Sequence, residues 1–160
     1  MSMDPERDLE ITRIIKAPRQ AVWDAWTNPA SFEKWWIPAP ALCRVIEMDV
    51  RPGGAMITEM NEDGTGFIPH MNACYLAVEP GRKIVFTNAL TGGFRPADQA
   101  FMTAVITLDD HDEGTAYRAV CMHKSSQDRG MHVEAGFYDG WGTVAQQLAE
   151  LVERSNLARS

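Results

Sequence analysis

Between residues 44 and 124 the apolar positions recur mainly at every second residue. In RVIEMDVRPGG, Ile46, Met48 and Val50 alternate with Glu47, Asp49 and Arg51, and Pro52-Gly53-Gly54 then turns the chain into AMITEMNEDG. Successive side chains of a strand point to opposite faces, so the alternation predicts a hairpin with one apolar and one polar side. Residues 70–78, 83–90, 100–109 and 116–124 repeat the pattern, separated by EPGR, TGGFRPAD and DDHDEG, each rich in turn formers. Short strands joined in this way make an antiparallel meander.

The two ends of the chain read differently. LEITRII is β-branched and predicts a first strand, closed by Ala17-Pro18, where the proline opens a helix. Val22, Ala25 and Trp26 follow at helical spacing until Asn28-Pro29 stops them, and Ser31 is expected to cap a second short helix carrying Phe32, Trp35 and Trp36. At the far end Phe137, Trp141, Val144, Ala145, Leu148, Leu151 and Val152 fall at steps of three and four, with Asp139, Gln146, Gln147, Glu150 and Glu153 filling the other side. This predicts one long amphipathic helix, begun by a turn and cap at Ser125-Ser126. Gly136, Gly140 and Gly142 each cost about 1 kcal/mol in a helix interior, which points to a close approach of backbone or ligand.

A sheet of about six strands and a single long helix leave one sheet face wet unless the sheet curls around the helix. With the more apolar side of each strand inward, the interior set is Ile46, Met48 and Val50; Asn72, Cys74, Leu76 and Val78; Ile84 and Phe86; Met102, Ala104, Ile106 and Leu108; and Tyr117, Ala119, Cys121 and His123. It mixes large, small and polar residues in a chain with nine methionines, side chains that adapt to irregular space. A small-molecule pocket and a solid interior share this binary pattern, so both stay open.

Composition narrows the function classes. At 160 residues the chain fits one domain, 1–160 with a core from about 9 to 154, able to bury roughly 70% of its unfolded surface. With 45% hydrophobic and 23% charged residues and no apolar run long enough to span a bilayer, no membrane span is expected. MSMDPERDLE resembles no secretory leader, and Cys43, Cys74 and Cys121 lie far apart without a CxxC, so a cytoplasmic protein with reduced thiols is expected. A net charge of −7 with no basic cluster argues against nucleic acid as a partner.

Five blocks carry a family resemblance: ITRIIKAPRQAVWDAWTNPASFEKWW, EMDVRPGGAM, YLAVEPGRKIVFT, AVITLDDHDEGTAYR and GWGTVAQQLAELVE. In order and spacing they resemble the small START-like (SRPBCC) proteins, most closely the group similar to the carboxy-terminal domain of the heat-shock protein 90 ATPase activator. The resemblance spans about residues 9 to 154 and implies an α+β helix-grip fold, a curved antiparallel sheet around a long carboxy-terminal helix with two short helices after the first strand. In many relatives the cavity beneath that helix holds an apolar molecule. Trp35 and Trp36 match a tryptophan pair near the cavity mouth, one ring expected over the cavity and the other outside. LTGGFRPADQA and EAGFYDGWG depart from the pattern and are expected to reshape the entrance. Relatives that act on stress chaperones carry a further domain that these residues do not include.

The candidate chemistry follows from these assignments. The expected ligand lining is Trp35, Trp36, Met48, Cys74, Phe86, Met102, Ala104, Tyr117, Cys121, His123, Phe137 and Trp141, with Tyr117 and His123 as polar handles for a small hydrophobic ligand. His70, Cys74, Cys121 and His123 have zinc-type donor atoms but lack a CxxC or HxxxH knuckle, so no metal or cofactor is expected. Acid–base chemistry, as in START-like cyclases, would need His123 beside a carboxylate such as Glu134 or Asp139. No GxSxG is present, and Gly53-Gly54 and DGTG sit in strand turns and cradle no phosphate. The rival from another class is a co-chaperone-like module that docks a protein partner through FRPADQ and the surroundings of Trp35.

Overall fold

The computed structural model describes residues 3–159, with side chains as far as Leu157. Strand β1 (Asp8–Ile15) is followed by helices α1 (Arg19–Thr27) and α2 (Pro29–Phe32). Strands β2 (Leu42–Met48), β3 (Ala55–Asn61), β4 (Ile68–Glu79) and β5 (Lys83–Thr87) come next. A small hairpin, β6 (Leu90–Thr91) and β7 (Arg95–Pro96), then precedes β8 (Thr103–His111), β9 (Gly114–Met122), α3 (Ser126–Glu134) and α4 (Phe137–Arg159). The main sheet has seven strands in the order β1-β9-β8-β5-β4-β3-β2, all neighbours antiparallel. Its inner face packs on α4 and α1, so the fold is an α+β helix grip.

Register explains which side chains meet α4. Tyr75 pairs with Phe86, Phe86 with Ala104, Ala104 with Cys121 and Cys121 with Leu9, which makes one continuous inward row. All five are essentially inaccessible and belong, with Leu148, Ala149 and Val152 of α4, to one apolar core. Removing a Leu or Ile from such a core costs about 2–5 kcal/mol, so this row and the apolar stripe of α4 hold the sheet and helix together.

Simple alternation fails at three β-bulges, and two of them move residues expected inside. A bulge inserts one unpaired residue and reverses the inward–outward phase of the rest of the strand. At Ile46, between the Val45–Thr58 and Glu47–Ile57 pairs, the extra residue is 51% exposed, while Cys43, Val45 and Met48 pack on the core. At Leu76, between Tyr75–Phe86 and Ala77–Val85, the reversal keeps Val78 inward but sets Ala73 and Tyr75 inward ahead of it. Asn72 is therefore exposed, and Cys74, paired with Ala55 and Thr87, lies on the opposite face from the core, buried beside the β6–β7 hairpin. The third bulge, at His70, matters for the cavity.

The helical regions differ from expectation in two places. Asn28 caps α2 by accepting from Ala30 N, so Ser31 lies within that helix, and Trp35 and Trp36 follow its end. The carboxy-terminal region is two helices. Ser125 caps α3 by accepting from Asp128 N, and Gly136, at φ +96°, breaks the chain into α4. Side-chain-bearing residues resist that left-handed conformation, so glycine ends α3 at the position after its cap.

Candidate functional site

Trp36, one of the two tryptophans expected at the cavity, stands at one corner of a cavity of about 330 Å³ between the sheet and α4. Met71 and His70 of β4, Asn88, Phe101 and Met102 form its sheet side. Trp36 and Pro38, His132 of α3, and Gly140, Trp141 and Val144 of α4 form the rest. Alternation would send His70 and Met71 to opposite faces; the bulge at His70 brings both to the cavity. Gly140 sits where a Cβ would meet nothing within 4 Å, so its missing side chain leaves open space.

An aromatic cluster backs the apolar wall. Trp26, Phe32, Trp35, Trp36, Phe86 and Trp141 are linked by ring contacts, including Trp36 to Trp141 at 5.6 Å and edge-on. Such pairs favour edge-to-face geometry and add about 0.5–1.5 kcal/mol beyond area burial. Trp35 is wholly buried and donates from Nε1 to Ala25 O at 2.9 Å, so it packs inside the cluster and not outside. The Trp36 indole N–H is buried and has no hydrogen-bond partner among the described residues.

The segment carrying both tryptophans is tied to α4 by one side chain. Gln147 Nε2 donates to Trp35 O and Ile37 O, each at 2.9 Å, and its Oε1 accepts from Ala39 N at 2.7 Å. The three backbone groups fix which end of the amide is which, since the carbonyls need a donor and the N–H needs an acceptor. Helical periodicity alone puts Gln147 on the solvent side.

The polar groups of the cavity are His70, Asn88 and His132. His70 Nδ1 lies 3.0 Å from Thr58 Oγ1, and desolvation lowers the pKa of its imidazole. Asn88 Oδ1 accepts from Phe101 N and Met102 N at 2.9 and 3.0 Å. His132 Nδ1 lies 2.8 Å from His123 Nε2, and the other ring nitrogen of His123 lies 2.8 Å from Arg7 O. Burial, and then the neighbouring His123, push the His132 pKa down to about 4.

The expected lining residues fall into separate places. Trp36, Met102 and Trp141 line the cavity, and His123 stands one imidazole behind it. Trp35, Phe86, Ala104, Tyr117, Cys121 and Phe137 belong to the core; burial raises the Tyr117 phenol and Cys121 thiol pKa values, and Met48 packs at the core margin. Cys74 is on the outer face, as its register requires. Pro38, His70, Met71, Asn88, Phe101, His132, Gly140 and Val144 also line the cavity, although strand phase and resemblance do not assign them to it. The helical step from Trp141 to Val144 and the glycine at 140 are the sequence signals for the α4 side. Neither Glu134 nor Asp139 hydrogen-bonds His123, whose partners are Arg7 O and His132. No group of three or more His, Cys, Asp or Glu among the described residues is placed to hold a metal ion.

A sheet gripping a long helix over a partly apolar cavity defines a START-like, helix-grip protein. Residues 16–153 match the family described as activator of Hsp90 ATPase homolog 1-like protein, and the chain belongs to that family. A crystal structure of a protein from Nitrosomonas europaea is similar at 37% identity, covering 97% of this chain and 99% of that one, with a TM-score of 0.87. A second, from Chromobacterium violaceum, is similar at 28% identity over 92% and 97% of the two chains, with a TM-score of 0.72. A third, from Mycobacterium smegmatis, is similar at 25% identity over 91% and 90%, with a TM-score of 0.76. No curated protein matches the chain. No helix among the described residues is long and apolar enough to cross a membrane.

Proposed function

We propose that the chain binds one small, mainly apolar molecule in the cavity between the sheet and α4. The observation that carries this reading is a cavity of about 330 Å³ walled by Trp36, Phe101 and Trp141, with three histidine or asparagine side chains in its wall. Ligand pockets run from about 300 to 1,000 Å³ and combine apolar walls with a few polar groups.

The test uses the neutral probe N-phenyl-1-naphthylamine, whose fluorescence rises in apolar surroundings, with the wild type and Gly140→Leu. The leucine would grow into open space from a helical position and fill the cavity without disturbing the core. Saturable one-to-one binding by the wild type, lost in a folded Gly140→Leu protein, supports the reading. Equal uptake by both proteins refutes it.

Family membership also favours a protein-docking reading. Met131 and Tyr138, 53% and 52% exposed, would then offer apolar contacts beside the cavity, and Phe94, 52% exposed on the β6–β7 turn, would serve the FRPADQ segment. Trp35 cannot take part, because it is buried.

A further inference from the structure

The two histidines behind the cavity wall fix where its acceptor lies. Arg7 O is a carbonyl and can only accept, so the proton between it and His123 belongs to His123 Nδ1. In an uncharged imidazole the other nitrogen is then a bare acceptor, and His123 Nε2 takes its hydrogen bond from His132 Nδ1–H at 2.8 Å. His132, uncharged in turn, carries its lone pair on Nε2, which bonds no described residue. Phe101 and Phe137 hold the His132 ring, at centroid distances of 4.9 and 5.0 Å. The low pKa of His132 keeps its own imidazole uncharged at physiological pH.

Asn88 supplies the complementary group. Its Oδ1 is occupied by the two N–H groups of Phe101 and Met102, so what it has left to offer is the Nδ2 donor. The same cavity wall therefore carries an imidazole acceptor and an amide donor. A hydroxyl satisfies both kinds of group, since it donates one bond and accepts others. An ether offers nothing to the imidazole, and a carboxylate would set its lone pairs against that of Nε2. The surrounding rings of Trp36, Phe101 and Trp141 favour a flat apolar body.

We infer that the cavity selects a hydroxy-substituted aromatic molecule, whose O–H is donated to His132 Nε2, and that His123 is the positioning residue that fixes the His132 tautomer. The inference rests on the ligand-binding reading above and deepens it.

Three probes of one shape separate the two claims: 2-naphthol, 2-methoxynaphthalene and 2-naphthoic acid, titrated calorimetrically against the full chain at pH 7.5. A net hydrogen bond corresponds to about a three- to tenfold difference in Kd, so 2-naphthol is expected to bind tighter than its methyl ether by that factor, and the acid weakest. His132→Ala should bring naphthol and ether to equal affinity. His123→Phe should shrink the naphthol preference while leaving the ether unchanged. A ring-nitrogen NMR spectrum of the unliganded wild type should show His132 protonated at Nδ1, and in His123→Phe a mixture of tautomers.

Naphthol and ether binding equally to the wild type would overturn the inference and leave the cavity reading standing. If none of the three binds, both fall. A wild-type His132 protonated at Nε2 would overturn the inference whatever the affinities, and this readout needs no variant to fold.

Discussion

Replacing Gln147 by alanine should loosen the tryptophan-bearing segment from α4 without touching the core. The side chain makes three hydrogen bonds to the backbone of residues 35, 37 and 39. Two go to part-buried carbonyls and are worth about 1 kcal/mol each; the third, at the exposed Ala39 N–H, adds a few tenths. Alanine's better helix propensity returns a few tenths, which leaves a loss of about 2 kcal/mol. In a domain of this size that lowers Tm by about 4–8 °C. Gln147→Glu is the sharper comparison. It keeps an acceptor for Ala39 N–H but sets a carboxylate against two carbonyl oxygens, so it should melt below Gln147→Ala. Thermal melts by circular dichroism, paired with acrylamide quenching of tryptophan fluorescence, read both stability and the exposure of Trp36. A Gln147→Glu protein as stable as the wild type would refute the assignment of the amide as a double donor.

Other consequences are as direct. Gly140→Ala should raise stability by up to about 1 kcal/mol, while Gly136→Ala, at φ +96°, should cost about 1 kcal/mol or more; chemical denaturation of both variants gives the signs. Tyr75 carries a buried hydroxyl with no partner among the described residues, so Tyr75→Phe should be neutral or stabilising by up to about 1 kcal/mol in the same assay. The His132 pKa falls from the ordinary 6.5 to about 4 on folding, so as pH drops through that window the unfolded chain takes up a proton before the folded one does. A fall from 6.5 to about 4 is worth about 3 kcal/mol in a dry site and water around the half-buried ring cuts it, so wild-type stability should decline between pH 6.5 and 4 by about 1–2 kcal/mol more than that of His132→Gln, as followed by Tm against pH.

Periodicity goes far with β5, β8 and β9. Those strands pair with one another without a bulge, and Ile84, Phe86, Ala104, Ile106, Leu108, Tyr117, Ala119 and Cys121 point to the core as alternation requires. It fails at Ile46 and Cys74, because a bulge is a property of the pairing of two strands and leaves no mark in either one alone. The cavity is harder to read for a related reason. His70 reaches it only through a bulge, Asn88 and Phe101 lie outside the strands that frame them, and His132 belongs to a helix that the apolar pattern does not separate from its successor. Gly136 is visible as a cost to one long helix, yet composition does not distinguish a close approach from a break. Gln147 reads as solvated because a polar side chain beside an apolar stripe looks the same whether it meets water or a neighbouring backbone.

The topology also sets a timetable for synthesis. β1 is made first, but its partner is β9: Asp8 lies opposite Met122 and Ile15 opposite Thr115, about a hundred residues later. At about 5–20 residues per second the ribosome needs several seconds or more to supply that partner, during which Leu9 and Ile15 have no sheet to enter. Pairings of such sequence separation also close slowly in the free chain, since the loop entropy is lost before the contacts form. The nascent protein therefore carries an unpaired, β-branched strand until nearly all of its sheet has been made, and that interval is when it is most open to aggregation and to capture by chaperones.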